Sequence, residues 1–139
     1  MPVCYITLSE NCPKLNKQQM RQIRIIIAKG LNSSSRKLDE THIAMRKQYG
    51  KSECMLGDIE IDIFSQIYLK RLFSRDKRAN FISKQISTYL NCCCATWINM
   101  GFVGYSRVAM NGDVFYSDSD NPFIKMLQKI RGISTHRFN

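Results

Sequence analysis

Apolar positions recur with two different periods along the chain, and these periods predict alternating strands and helices. Val3 to Leu8 is rich in β-forming residues and predicts a strand. Apolar residues then recur at spacings of three and four, which is typical of an amphipathic helix: Met20, Ile23, Ile27 and Leu31. Asn16 fits the N-cap of this helix, and the Asn-Ser-Ser-Ser run from Asn32 ends it. Thr41 to Lys47 predicts a second strand.

The same order of elements then repeats. Asp58 to Phe64 alternates acidic and apolar residues, which indicates a half-buried strand. Ser74 fits the N-cap of a second helix, whose apolar residues keep the spacing of the first: Ala79, Ile82, Ile86 and Leu90. Ala95 to Met100 predicts a further strand. We interpret the chain as two strand–helix–strand units in tandem; the alternative is a chance likeness of two ordinary helices.

These units predict an α+β fold of two layers. A right-handed crossover joins parallel strands within each unit, so two tandem β-α-β units give a four-stranded mixed sheet with both helices on one face. We expect residues 1–139 to form a single domain, in which 1–115 hold the duplicated core and a hairpin.

The remaining residues predict an extension. Asn111-Gly112, a dipeptide favoured in tight turns, joins Tyr105–Met110 to Val114–Tyr116 as a hairpin. Residues 116–139 then form a C-terminal extension with a short helix at about 122–131, because Pro122 suits a helix start and Gly132 a helix end.

Composition confirms a globular chain and adds a strong charge. The 139 residues include 44% apolar and 23% charged side chains, which excludes wholesale disorder. No apolar run approaches the ~18 residues of a membrane span. The start lacks the pattern of a secretory signal, so we expect a cytoplasmic protein with no membrane association. The 21 Lys and Arg against 11 Asp and Glu give a net charge of +10, which favours anionic partners.

The six cysteines do not predict a disulfide framework or a metal site. Three of them are consecutive, Cys92 to Cys94, and neighbours in a row cannot all meet disulfide geometry. We therefore expect reduced thiols that pack as small hydrophobic groups. No C-x-x-C pair occurs, and only His42 and His136 could add imidazole ligands, so no metal is expected.

Pro2 is the residue best suited to chemistry. Removal of Met1 is expected when proline follows, and it would leave a secondary amine at the start of the first strand. An ordinary α-amino group titrates near ~7.7–8.0. Burial and neighbouring cations would lower the pKa of this amine and make it a general base at neutral pH. Many chains begin Met-Pro without any catalytic role, so the position of Pro2 alone does not show that it is catalytic.

Together with the tandem units, this start resembles the tautomerase superfamily, the family of macrophage migration inhibitory factor. The resemblance covers about residues 1–115 and is carried by the Met-Pro-Val-Cys-Tyr-Ile opening, the apolar strand Ile59 to Phe64, and Trp97-Ile98-Asn99. Met110 to Phe115 is also similar to a little-characterised bacterial branch with a single domain. The resemblance implies two β-α-β units, Pro2 as catalytic base in a keto–enol isomerase, and a homotrimer.

The same resemblance implies the substrate-binding residues. Trp97 and Asn99 match pocket residues of the inhibitory-factor branch, although Trp replaces its Tyr. Ile67 is similar in position to a residue whose backbone amide contacts substrate. Lys37 stands where that branch has its pocket lysine, between the first helix and the second strand. The insertion of Tyr68 to Arg71 before the second helix departs from the family pattern.

The basic residues leave two function classes open. An arginine can hold a substrate carboxylate through paired hydrogen bonds, and Arg71 and Arg75, near the start of the second helix, are the candidates. This predicts a small carboxylate substrate and requires no cofactor. The alternative is a non-catalytic binding module on the same scaffold, whose basic surface binds nucleic acid or an acidic partner. The acidic face of the third strand is expected to stabilise packing or subunit contacts.

Overall fold

A computed structural model describes residues 2–34, 37–66, 69–101, 107–110 and 113–117 of the chain. The predicted Asn111-Gly112 turn and the predicted helix at about 122–131 lie outside these residues. Within them, no helix is long and apolar enough to cross a membrane.

Four strands form one mixed sheet in the order β2-β1-β3-β4. The strands are β1 (Val3–Leu8), β2 (Ala44–Tyr49), β3 (Ile59–Gln66) and β4 (Cys94–Gly101). β2 runs parallel to β1, and β4 runs parallel to β3, while β1 and β3 are antiparallel at the centre. The sheet therefore consists of two parallel pairs, one from each predicted unit, and the predicted mixed sheet is confirmed.

Two long helices cover one face of the sheet. α1 (Lys17–Leu31) joins β1 to β2, and α3 (Arg75–Leu90) joins β3 to β4. The register puts Ile6 opposite Ile61, and both are fully buried beneath the helices. The predicted stripes supply the matching surface, since the pairs Ile23/Ile27 and Ile82/Ile86 are completely buried. Apolar burial on this scale is the main force that holds the two layers together.

The start of α1 shows why the predicted boundary is correct. The Asn16 side chain accepts a hydrogen bond from the Gln19 backbone N–H at 2.8 Å, and the Gln19 side chain accepts one from the Asn16 N–H at 2.9 Å. This reciprocal pair is a capping box, which satisfies two backbone donors at the helix end.

The start of the second helix differs from the prediction. A short helix, α2 (Leu69–Phe73), precedes α3, and Ser74 lies between them. Ser74 occupies the N-cap position, but its side chain makes no capping hydrogen bond. Its hydroxyl instead donates to the carbonyl oxygen of Lys70 at 2.6 Å. Leu69 to Arg71 of the insertion therefore belong to an extra helical turn, and Ser74 bonds to this turn instead of capping α3.

The predicted second strand begins three residues too early, because the expected start at Thr41 lies in a different local structure. Residues Glu40–His42 form a short 3-10 helix, and Asp39 caps it by accepting the Thr41 N–H at 2.8 Å. β2 begins only at Ala44. Hydrogen bonds from an Asp side chain to the nearby backbone compete with strand formation, and here they stabilise the 3-10 helix instead of a strand.

The two units also differ where their helices end. Asn32 ends α1 with an extended backbone (φ −61°), whereas Asn91 ends α3 in the left-handed region (φ 50°). Only residues 91–93 join α3 to β4, while residues 32–43 join α1 to β2. The short connection requires an abrupt reversal, and asparagine tolerates the left-handed conformation better than most residues.

The predicted hairpin is present as a separate two-stranded sheet. β5 (Arg107–Met110) pairs antiparallel with β6 (Asp113–Ser117), with an irregularity between Val108 and Ala109. The division into a core at 1–115 and an extension at 116–139 remains a prediction.

Candidate functional site

Pro2 lies just before β1, one of the two central strands, and is buried. Its carbonyl oxygen accepts a hydrogen bond from the Ala44 N–H at 3.1 Å, which fixes it beside the start of β2. Val3 pairs with Phe64, so the end of β3 also lies at this edge of the sheet. We call this end of the sheet, where β1 and β2 begin and β3 ends, the Pro2 end. Chain direction brings the end of α1, the short helix α2 and the start of α3 to the same end of the sheet.

Arg71, predicted to bind substrate, is among the most buried side chains, with 2% of its surface exposed. Its Nε donates to the carbonyl oxygen of Leu31 at 2.9 Å, and its Nη1 donates to the Ser65 hydroxyl at 3.0 Å. These bonds join α2 to the end of α1 and to the end of β3. Arg71 therefore fixes three elements around the Pro2 end, and contact with a substrate remains a prediction.

A second arginine, Arg78, binds the same helix end. Its Nη1 donates to the carbonyl oxygens of Gly30 at 2.9 Å and of Asn32 at 2.6 Å. The last carbonyls of a helix lack intrahelical partners and carry partial negative charge, so arginine is well suited to them. Partial burial lowers the pKa of the Arg78 guanidinium. Sequence patterns did not identify this residue, because the carbonyls that it binds come from a distant part of the chain.

The remaining cationic candidates keep their side chains in solvent. Lys37 and Arg75 are both exposed, Lys37 in the loop after α1 and Arg75 at the first position of α3. They lie at the Pro2 end and are accessible to an anion. Lys70, on α2, donates from Nζ to the Ser34 hydroxyl at 2.8 Å. Ile67 lies outside the described residues, so its predicted backbone contact stays a prediction.

Trp97 and Asn99 lie on the sheet face that the helices leave uncovered, which we call the open face. Asn99 pairs with Phe64, which in turn pairs with Val3, so Asn99 is two strands away from β1. Trp97 is 37% exposed and Phe64 is 49% exposed. Within one chain the structure brings Pro2, Lys37 and Arg75 to one edge, and it leaves Trp97 and Asn99 on a separate surface.

The open face has its own order across the strands. One row runs from Arg46 through Tyr5 and Asp62 to Trp97. Arg46 donates from Nη1 to the Tyr5 hydroxyl at 3.3 Å, and its guanidinium lies 5.7 Å from the centre of the Tyr5 ring. Tyr5 also meets Phe64 edge to face at 5.8 Å between ring centres. Strict alternation in β3 was the signal for this face, although alternation could not show which strands would flank it.

Burial and the neighbouring Glu60 raise the pKa of Asp62 above the ordinary value of an aspartate. Glu60 itself accepts the Leu56 N–H at 2.5 Å, and Asp58 accepts the Cys93 N–H at 3.1 Å. The acids of the third strand therefore do different things. Asp58 and Glu60 fix loops, and Asp62 lies within the row of the open face.

Four cysteines pack in or against the core as predicted, Cys4, Cys12, Cys92 and Cys94, whereas Cys54 and Cys93 are exposed. Burial raises the pKa of Cys4 and of Cys94 to about 12 and that of Cys92 to about 11, so these thiols stay protonated at neutral pH. All cysteines in the described ranges are free thiols. In the same ranges, no three His, Cys, Asp or Glu side chains are grouped to hold a metal ion.

No family model matches the sequence, and no curated protein matches it. Solved structures match its fold. A macrophage migration inhibitory factor-like protein from Entamoeba histolytica is 15% identical with a TM-score of 0.52, and the match covers 82% of this chain and 98% of that one. MIF2 from Leishmania major is 13% identical with a TM-score of 0.54, covering 83% and 97%.

A third structure, a fused 4-OT described as a symmetric trimer, is 7% identical with a TM-score of 0.54 and covers 81% of this chain and 94% of that one. These identities are low, yet the matches span nearly the whole length of each solved structure. The chain therefore has the fold of the tautomerase superfamily that its opening residues and tandem units resemble.

Proposed function

We propose that this protein is a tautomerase-like isomerase that moves a proton on a small keto/enol carboxylate, with Pro2 as the general base once Met1 is removed. The observation that carries this proposal is the buried Pro2 at the start of β1, a central strand of a tautomerase fold. Proton transfer between carbon and oxygen needs a base near neutrality and a group that holds the substrate, and it needs no cofactor.

The surroundings of Pro2 favour a neutral amine. Burial penalises the protonated form, and the cations at the same edge do so as well. Arg71 and Arg78 are held there by helix carbonyls. An amine of lowered basicity would be unprotonated for much of the time at neutral pH and could accept a proton from carbon.

Lys37 and Arg75 are the groups proposed to bind the substrate carboxylate. Both are exposed, and neither is occupied in an ion pair within the described part of the chain. The start of α3 adds backbone N–H groups that favour an anion. Binding at this edge would leave the substrate carbon directed toward Pro2.

A homotrimer completes the proposed site. The open face exposes aromatic rings in a row that also contains Arg46 and Asp62, and such a face is stabilised when another copy covers it. In that assembly Trp97 and Asn99 would reach the Pro2 end of a neighbouring copy. The Trp97 indole would then wall the pocket and offer a single N–H donor.

The test uses phenylpyruvate and 2-hydroxymuconate as substrates. Pro2→Ala is expected to abolish the conversion, whereas Lys37→Gln and Arg75→Gln are expected to raise KM with little change in kcat. Sedimentation of the same samples reports the assembly. Unchanged activity in Pro2→Ala would overturn the proposal, and a strictly monomeric active enzyme would overturn the shared site.

A further inference from the structure

A second charged region lies away from the Pro2 end, beside the first half of α1. There the helix and the edge strand β2 enclose a groove of about 470 Å³. Seven residues line it: Leu15, Asn16, Lys17, Met20, Arg21, Arg24 and Lys47. Four of these side chains are cationic and none is acidic. A volume of this size suits a small organic molecule and exceeds what one phosphate group fills.

The pairing register between β2 and β1 determines which side chains of β2 face the groove. Lys47 pairs with Ile6, whose side chain is buried beneath the helices, so Lys47 belongs to the helix-covered side of β2. The Lys47 ammonium lies 5.4 Å from the centre of the Tyr49 ring. Because β2 is the edge strand of the four-stranded sheet, no further strand in the described part of the chain closes the groove on that side.

Most of the positive charge in this groove has no counter-charge. Arg21 pairs with Glu40 at 3.0 Å. Within residues 2–34 and 37–66, no ion pair forms at Lys17, Arg24 or Lys47. Three cations in one concave surface repel each other, and a bound anion relieves that repulsion.

Arg24 adds an unsatisfied donor. Its Nε is buried and has no hydrogen-bond partner among the described residues. A buried guanidinium N–H without an acceptor is costly, and a movement of the Arg24 side chain that brings this donor to a ligand oxygen in the groove would remove that cost. Arginine also presents its donors as a planar fork, which matches the oxygens of a phosphate.

The helix itself makes this charge distribution unfavourable without a ligand. The first turn of α1 contains no acidic residue, Lys17 is its first residue, and Arg21 follows one turn later. The amino end of a helix carries partial positive charge, so cations there oppose the dipole. Sequences break such local rules mainly where function requires it.

We propose that this groove binds a small molecule with two or more phosphate groups. Lys17, Arg24 and Lys47 would contact the phosphate oxygens between them, and Leu15 and Met20 would pack against the body of the ligand. The lining has no aromatic side chain to stack a base, which argues against single-stranded nucleic acid. The site is independent of Pro2 and goes beyond the proposed isomerase.

Calorimetric titration at constant ionic strength tests the proposal with inorganic pyrophosphate, tripolyphosphate and orthophosphate as probes. Pyrophosphate and tripolyphosphate are expected to bind at one site per chain, with orthophosphate at least about tenfold weaker. The double variant Arg24→Gln/Lys47→Gln should lose at least about tenfold in affinity. Lys51→Gln/Lys84→Gln removes the same charge from exposed positions and should change affinity less than about twofold.

Amide NMR spectra of the unaltered protein give a readout that does not depend on variants. Pyrophosphate should shift the amide signals of Lys17 and Lys47 and leave that of Lys84 in place. Absent binding, equal losses in both double variants, or shifts spread over all exposed lysines would overturn the site. Equal affinity for orthophosphate would overturn the ligand class. None of these measurements uses catalysis, so failure here and failure of the isomerase are distinguishable.

Discussion

The Arg71 guanidinium donates from Nε to the carbonyl oxygen of Leu31 across 2.9 Å, which joins the turn before α3 to the end of α1. The same side chain reaches the Ser65 hydroxyl at 3.0 Å. The sequence predicts that this arginine binds substrate, yet two of its N–H groups donate to other parts of the protein. These two hydrogen bonds hold the elements around the Pro2 end in place.

Replacing Arg71 is therefore expected to destabilise the fold. Arg71→Met leaves the Leu31 carbonyl and the Ser65 hydroxyl without their charged donor, and the free energy of unfolding should fall by about 3 kcal/mol. Arg75→Gln, at an exposed position, should change it by less than about 0.5 kcal/mol. Urea unfolding measures both. Equal stability of Arg71→Met and the unaltered protein would contradict this role.

Gly30 allows α1 and α3 to approach closely. A Cβ at this position would lie 2.4 Å from Ile82 Cγ1 and 2.7 Å from Ile82 Cδ1. Gly30→Ala should destabilise the protein by about 1–3 kcal/mol because the core is overpacked, even though alanine is the better helix former by about 1 kcal/mol. Lys29→Ala, exposed on the same helix, serves as the control.

A double-mutant cycle separates this clash from other effects. Ile82→Ala alone should cost about 2–5 kcal/mol, since it opens a cavity in the core. In that background Gly30→Ala should no longer destabilise, because the atoms that it meets are gone. Additive losses of stability in thermal or urea unfolding would show that Ile82 does not clash with a Cβ at position 30.

Asp62 is predicted to make folding depend on pH in a direction opposite to that of most carboxylates. Its folded pKa is raised, chiefly by burial, so the folded state binds its proton more tightly than the unfolded state. The favourable contribution is present below the unfolded pKa near ~4 and is lost as pH rises through the folded value. Asp62→Asn should therefore stabilise the protein at neutral pH relative to acid pH.

The control for this prediction is Asp39→Asn. Hydrogen bonds from Thr41 lower the pKa of Asp39, so its contribution is present at neutral pH and is lost as pH falls. The two substitutions should change the pH profile of unfolding with opposite signs. A stability difference for Asp62→Asn that does not grow between acid and neutral pH would show that the folded state does not raise the pKa of Asp62.

The cysteines should react in an order set by burial. Cys54 and Cys93 are exposed, whereas burial raises the pKa of Cys4 to about 12. Iodoacetamide followed by mass spectrometry should label Cys54 and Cys93 first, and Cys4 only after unfolding, because the thiolate is the reactive form. Early labelling of Cys4 in the folded protein would show that β1 is not packed as described.

Much of the fold could be predicted because its repeated pattern is local. The spacing of Ile23 and Ile27 matches that of Ile82 and Ile86, and all four are fully buried. The capping box at Asn16 is equally local. A local pattern also gave the wrong start of β2 at Thr41, because strand propensity does not take account of the cap that Asp39 forms there.

The site was harder to predict, because its contacts join distant segments. Arg78 binds the carbonyl of Gly30, and nothing near Arg78 in the sequence indicates this. Arg71 could be proposed from its place near the start of the second helix, but its burial follows from the extra turn α2. The groove beside α1 depends in the same way on the register that brings Lys47 beside Ile6.

The most direct test of the isomerase compares two forms of one chain that differ only in Met1. In the form without Met1, Pro2 has a secondary amine; in the form with Met1, its nitrogen is an amide without useful basicity. Both forms are checked by mass and by thermal unfolding. The form without Met1 should tautomerise phenylpyruvate, and the form with Met1 should do so at least about 100-fold more slowly. Equal rates from the two forms, or no activity from a folded form without Met1 on any keto acid tried, would contradict the role of Pro2 as general base.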